Sequence, residues 1–221
     1  VPYLFYQLNS GIAMSIVESQ ELFSQLADLY ARMEQAYDQV AGALDFSCQG
    51  CPDNCCDSFF QHHTYVEWSY LWEGLKGLAL EKRAAIEERA KAYVGHLLQL
   101  TAAGENPVIM CPLNEDGLCT LYRYRLMICR MHGVPSWFLL PDGRSKEFRG
   151  CFRCQEQIAG RADFPSVDRT PLLRELADLE RALLTAAGRP LPRVKLTIAQ
   201  MIVAGPPSVG RQLKAESEKR Q

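Results

Sequence analysis

Apolar residues recur at steps of three and four near the start of the chain: Leu22, Leu26, Leu29, Met33, Ala36 or Tyr37, Val40 and Leu44. That period lays a single stripe along a helix, and Ser15 with Glu18, or Ser19, supplies a start. The stripe predicts one long amphipathic helix turned towards a core rather than towards a cofactor. Thr64 and Glu67 repeat the capping spacing and predict a second helix through Trp68, Leu71 and Trp72, broken or bent at Gly74 and Gly77. Ile86, Ala90, Tyr93, Val94, Leu97 and Leu98 share one face of a third run, whose charged residues form an ordinary solvated face.

The pattern is different elsewhere. Residues 45–63 are irregular, punctuated by Gly50, Pro52, Asp53 and Asn54. Residues 102–107 form a loop, 108–110 a short strand, 114–117 a turn and 120–132 a helix. Residues 137–148, interrupted by Pro141-Asp142-Gly143, read as a β-hairpin. Thr170-Pro171 starts a helix with a seam of Leu172, Leu176, Leu179 and Leu183 and a stop at Gly188, and a shorter helix covers 197–204. The fold expected is mainly α, with helices packed around a cysteine-rich, metal-binding loop core and a small β-hairpin. The expected divisions are an N-terminal arm at 1–14, a cysteine-cluster metal-binding domain at 15–165, a C-terminal helical segment at 166–210 and a flexible tail at 211–221.

Composition narrows the function classes. Hydrophobic residues make up 48% of 221, enough for a core without crosslinks. The formal net charge is -2 with no long basic stretch, so nothing steers the chain to nucleic acid. No apolar run reaches the roughly 20 residues that span a bilayer. The stretch Val1-Pro2-Tyr3-Leu4-Phe5-Tyr6 is apolar but short and is not preceded by a basic segment, unlike a secretory signal. A cytoplasmic location is the expectation.

The nine cysteines carry the chemistry. They fall as Cys48, Cys51, Cys55 and Cys56, then Cys111, Cys119 and Cys129, then Cys151 and Cys154. Two Cys-x2-Cys units with five further cysteines point to metal coordination, because two thiolates so spaced can hold one ion from a tight turn. The odd number excludes complete internal pairing. The spacing is neither that of a zinc ribbon nor that of a bacterial ferredoxin run. Adjacent side chains diverge, so Cys55 and Cys56 either feed two nearby sites or leave one thiol spare. One arrangement joins the first cluster to a middle thiol and lets Cys151 and Cys154 complete a second site.

Several short motifs occur in a family order. They are Cys48-Gln49-Gly50-Cys51, Cys55-Cys56, Glu67 in Thr64-Tyr65-Val66-Glu67, Cys111-Pro112-Leu113, Gly117-Leu118-Cys119-Thr120-Leu121-Tyr122, and Arg125-Leu126-Met127-Ile128-Cys129-Arg130. Over about residues 46–135 they resemble the bacterial and archaeal cysteine-cluster family of zinc- or iron-chelating domains. The resemblance implies metal binding by Cys48, Cys51, Cys55, Cys56, Cys111, Cys119 and Cys129, and it leaves the metal open. This chain departs by one additional residue before Cys55 and by Leu126 in place of a proline. One branch of that family is the flagellin lysine N-methylases, but no Gly-rich S-adenosylmethionine loop is recognisable here.

Arg123, Arg125 and Arg130 bracket Cys129, and Arg130 is the candidate cofactor-binding cation. His62, His63 and His132 are weaker candidate ligands, since thiols are plentiful. Trp68, Trp72 and Trp137 are expected in the core. The expected cofactor is an iron–sulfur cluster, 4Fe-4S favoured, with zinc as the alternative, because thiols are many and histidines few. The functions expected are electron transfer or a cofactor-bearing subunit, with a protein partner. The alternatives are a structural zinc module for partner binding, a metal-delivery factor or a methyltransferase-like enzyme.

Overall fold

A computed structural model describes residues 16–49, 51 and 55–209. The proposed arm, the Ser15 start, the turn residues Gly50 and Pro52-Asp53-Asn54 and the tail lie outside those residues. The architecture is mainly helical, with one two-stranded and one three-stranded sheet. No helix among the described residues is long and apolar enough to cross a membrane.

Helix α1, Ile16–Ala43, is the spine. Its stripe is buried as the period requires: Leu26, Leu29 and Met33 are fully enclosed, with Leu22, Val40 and Leu44 beside them. Each such side chain contributes about 1.5–3 kcal/mol by leaving water. The stripe faces α6, Thr170–Ala187, through Leu176, Leu179 and Leu183. Val66 and Tyr70 of α2, Tyr65–Lys76, close this first core.

The opposite side of α2 builds a second core. Trp68, Leu71, Trp72 and Leu75 meet Ile86, Ala90, Tyr93 and Leu97 of α3, Leu80–Ala103. Helix α7, Ile198–Val203, completes it with Ala199, Met201 and Ile202. Both indole N–H groups of Trp68 and Trp72 donate to the Met201 carbonyl, at 3.0 and 3.1 Å, so both tryptophans are structural. Leu98, expected on the apolar face of α3, is exposed.

Details of the ends differ from the sequence reading. Gly77 ends α2 as expected, whereas Gly74 stays inside the helix. A Cβ at Gly74 would lie 2.6 Å from the Tyr124 ring, so the glycine permits close approach rather than a bend. The Thr64 hydroxyl does not cap α2; it donates to Glu67 Oε2 at 2.7 Å. The exposed amides are instead taken by the Glu180 carboxylate of α6, which accepts from the N–H groups of Tyr65 at 3.0 Å and Val66 at 2.9 Å. Helix α7 does carry a true capping box, Thr197 with Gln200.

The middle of the chain is less regular than expected. Residues 108–110 form no strand, because they find no partner. In place of one helix over 120–132 there is a single 3-10 turn at Tyr122–Tyr124 and a short α4, Met127–Met131. A small hairpin precedes them: β1, Asn114–Glu115, pairs with β2, Leu118–Cys119. Its two loop residues, Asp116 and Gly117, have φ of 52° and 84°, as a type I′ turn demands. The predicted larger hairpin is present as β3, Pro135–Leu139, and β4, Ser145–Arg149. Beyond it lie two elements with no sequence signal: α5, Phe152–Gln157, and β5, Val167–Asp168, which pairs in parallel with β3.

Candidate functional site

None of the nine cysteines is joined in a disulfide. They gather in two neighbourhoods, one on each core. Cys111 and Cys119 pack against the core of α2, α3 and α7, while Cys151 and Cys154 belong to the core of α1 and α6.

The inner neighbourhood contains Cys56, Cys111, Cys119 and Cys129. The backbone N–H of Cys111 donates to the Cys56 carbonyl at 2.9 Å, which joins the end of the first cysteine run to the β1–β2 segment. The hairpin sets Cys119 opposite Asn114, whose N–H in turn bonds the Cys111 carbonyl at 2.9 Å. Arg89 of α3 tethers this segment through Nε to the Pro112 carbonyl, 2.9 Å, and through a second nitrogen to Glu115, 2.8 Å. Cys129 arrives on α4.

Two buried charged groups fix α4. Glu67 is almost fully buried, and its Oε1 accepts from the Met127 N–H at 2.8 Å and the Tyr30 hydroxyl at 3.0 Å. One carboxylate therefore ties α1, α2 and the first residue of α4. Arg130, also buried, donates to Glu34 at 2.8 Å and to the carbonyls of Arg125 and Arg123 at 2.7 and 2.6 Å. Its guanidinium also lies 4.3 Å from the centre of the Tyr30 ring. The donors of Arg130 are thus engaged with protein groups, and its action on the thiols is electrostatic: with Arg125 it draws the Cys119 pKa down against the upward push of burial. Leu126 is wholly buried at the head of α4.

The outer neighbourhood contains Cys48, Cys51, Cys55, Cys151 and Cys154. The Tyr37 hydroxyl lies 3.8 Å from Cys48 Sγ. The Cys51 N–H bonds the Cys48 carbonyl at 3.1 Å, and the Cys151 N–H bonds the Gly133 carbonyl at 2.9 Å. Gln157 of α5 donates to the carbonyls of Leu44 and Asp45 at 2.8 and 2.9 Å. That bond fastens the Cys151–Cys154 segment to the end of α1, where the chain turns towards Cys48. At Gly150 φ is +90°, and a Cβ there would lie 2.6 Å from the Gly133 carbonyl and 2.9 Å from Cys154 Cβ. Cys55, Cys151, His132 and Phe148 line a cleft of about 260 Å³.

Electrostatics follow this division except at Cys55, on which Cys56 also acts. Burial raises the Cys129 pKa well above the ordinary thiol value, and Cys111, Cys119 and Cys56 add to the rise. Burial takes Cys111 to about 12, with Cys56 and Cys119 contributing. Cys55 is pushed up to about 11 by burial and then by Cys151, Cys48, Cys51 and Cys56. Cys154 also reaches about 11, through burial, Cys151 and Cys48. Thiols so raised are neutral at pH 7 in the metal-free chain, and a metal would have to displace their protons. One cation stands beside the outer group: hydrogen bonding to Cys51 and the charges of Cys48 and Cys151 raise the Arg153 pKa.

Histidine takes little part. His62 is buried with Nε2 unpartnered, and burial lowers it to about 4. His63 Nδ1 lies 3.2 Å from the Val194 carbonyl. His132 sits between the rings of Phe60 and Phe148. Among the described residues, no three His, Cys, Asp or Glu side chains already converge on a point that would hold one ion.

Sequence reasoning passed over Arg153, Glu34, Tyr37 and Glu180. Arg153 had a local signal, since it stands between Cys151 and Cys154; the other three are brought in only by tertiary packing. No family model, no curated protein and no solved structure matches the chain significantly.

Proposed function

We propose that this chain is an iron–sulfur cluster-binding protein, 4Fe-4S favoured, serving in electron transfer or as the cofactor-bearing subunit of an assembly with another protein. The observation that carries the reading is the donor chemistry: nine thiols, none spent in a disulfide, gathered in two neighbourhoods in which thiols far outnumber histidines. Such all-sulfur sets suit iron–sulfur clusters and zinc. The number of thiols and the scarcity of histidine among the candidate ligands favour the cluster.

In this reading the cysteine-bearing loops are the working part, and the helical cores hold them. Loading requires the thiols to turn inward and release protons, so it weakens as pH falls. Arg89, Arg125, Arg130 and Arg153 offset the negative charge that deprotonated thiols accumulate. A bound cluster would supply one-electron chemistry; the chain's own residues position it and limit water.

The test is anaerobic purification followed by optical and elemental analysis. A broad visible absorption that dithionite bleaches, with iron and acid-labile sulfide in equal amounts, supports the proposal. A colourless protein with stoichiometric zinc and no sulfide overturns it in favour of a structural zinc module.

A further inference from the structure

Cys111 and Cys119 pack on one hydrophobic core and Cys151 and Cys154 on the other. We propose that on taking up metal the cysteines, which do not converge on an ion position in the metal-free chain, close into two separate four-thiol sites: an inner one of Cys56, Cys111, Cys119 and Cys129, and an outer one of Cys48, Cys51, Cys55 and Cys151. The proposal rests on the chain taking up metal through its thiols, as above, but not on which metal it takes. It differs from the sequence expectation, in which the first run stays together and draws in one middle thiol.

Geometry separates the two. The Cys56 carbonyl is engaged by Cys111, whose hairpin belongs to the core of α2, α3 and α7. Cys55 lines a cleft together with Cys151, whose segment belongs to the core of α1 and α6. Side chains of successive residues diverge, so one short turn delivers a thiol to each side. Four donors satisfy a tetrahedral ion or one four-iron cluster, and two sets of four account for eight of the nine thiols. Cys154 is left over. It is completely buried among apolar residues of the first core, whereas Cys55 is exposed on the cleft that it shares with Cys151.

The sites also differ in access. Cys48 and Cys55 are exposed, whereas all four inner cysteines are half-buried. The outer site therefore meets chelators, oxidants and a docking partner first, and the inner one is reached only after local opening.

The full chain, purified without oxygen, should hold two equivalents of cluster, or two of zinc. Cys111→Ser combined with Cys129→Ser should retain one, as should Cys48→Ser combined with Cys55→Ser. Cys154→Ala should retain both, and Cys55→Ala should lose one. Release to a chelator should be biphasic in the wild type, with the slow phase lost in the Cys111/Cys129 pair and the fast phase lost in the Cys48/Cys55 pair. The wild-type count needs no variant, so a mutant that fails to fold does not decide the matter. One equivalent in the wild type overturns the division, as does the loss of all metal from both folded double variants. Loss of metal from Cys154→Ala with none from Cys55→Ala overturns the outer ligand set. Two equivalents of zinc without sulfide support the division while refuting the cluster; one cluster does the reverse.

Discussion

Lowering the pH should weaken this fold through His62, and replacing that residue should remove the effect. The ring is buried at the bridge that pairs residue 62 with Leu196, and Nε2 has no partner. Burial is the main cause of its pKa of about 4; Glu67 pulls upward and His63 adds a smaller downward push. Unfolded, the ring titrates at about 6.5. A group whose folded pKa is depressed contributes stability that is fully present above the unfolded value and is lost as pH falls through the folded one. The window is therefore about pH 6.5 down to about 4, at roughly 1.4 kcal/mol per pH unit. At about pH 4.5 the loss amounts to about 2.5 kcal/mol. His62→Leu keeps the backbone pairing, removes the unpartnered nitrogen and should lie within about 1 kcal/mol of wild type near neutrality. Urea unfolding of both proteins between about pH 7.5 and 4.5 gives the difference curve, in which thiol and metal contributions common to both cancel. The variant should gain on the wild type by about 2.5 kcal/mol across that range. A constant gap would refute the idea that the ring is held neutral by burial.

Three more perturbations address the scaffold. Glu67→Ala strands the Met127 N–H and the Tyr30 hydroxyl, so it should cost about 2–4 kcal/mol in thermal or urea unfolding and lower metal retention at Cys129. Gly150→Ala forces a Cβ into the Gly133 carbonyl and Cys154 at positive φ; about 1–3 kcal/mol of strain should appear as a lower melting temperature and a faster loss of outer metal to a chelator. Glu180→Ala uncaps α2 and should cost about 1–2 kcal/mol. Burial holds the Glu180 carboxyl above its ordinary value, so its stability contribution is fullest below the unfolded value and declines as pH rises through the folded one. Glu180→Gln should flatten that slope, as urea titrations across the acid range will report.

Regular periodicity was legible and irregular packing was not. The stripes of α1, α3 and α6 follow from a 3.6-residue repeat, and the ends of α2 and α6 lie at the chemical signals Gly77 and Gly188. The run at 120–132 misled because its apolar residues serve different contacts: Leu121 and Leu126 enter the second core, Met131 the first. Helix α5 is one and a half turns long and depends on Cys151, Gln157 and the end of α1, so no local pattern announces it. The candidate thiols were visible as a set from spacing alone. Their partition was not, because it is decided by which core each loop docks against and by the hydrogen bond from Cys111 to Cys56. Arg130 was singled out for its nearness to Cys129 in sequence, yet its donors are engaged with Glu34 and two carbonyls.

The cap on α2 has a consequence for biosynthesis. The carboxylate that receives the Val66 amide stands 114 residues further along the chain. Every cysteine therefore precedes, in the order of synthesis, the helix that locks α2. The nascent polypeptide thus acquires its sulfur donors ahead of a finished framework, which closes only once α6 and α7 have been made.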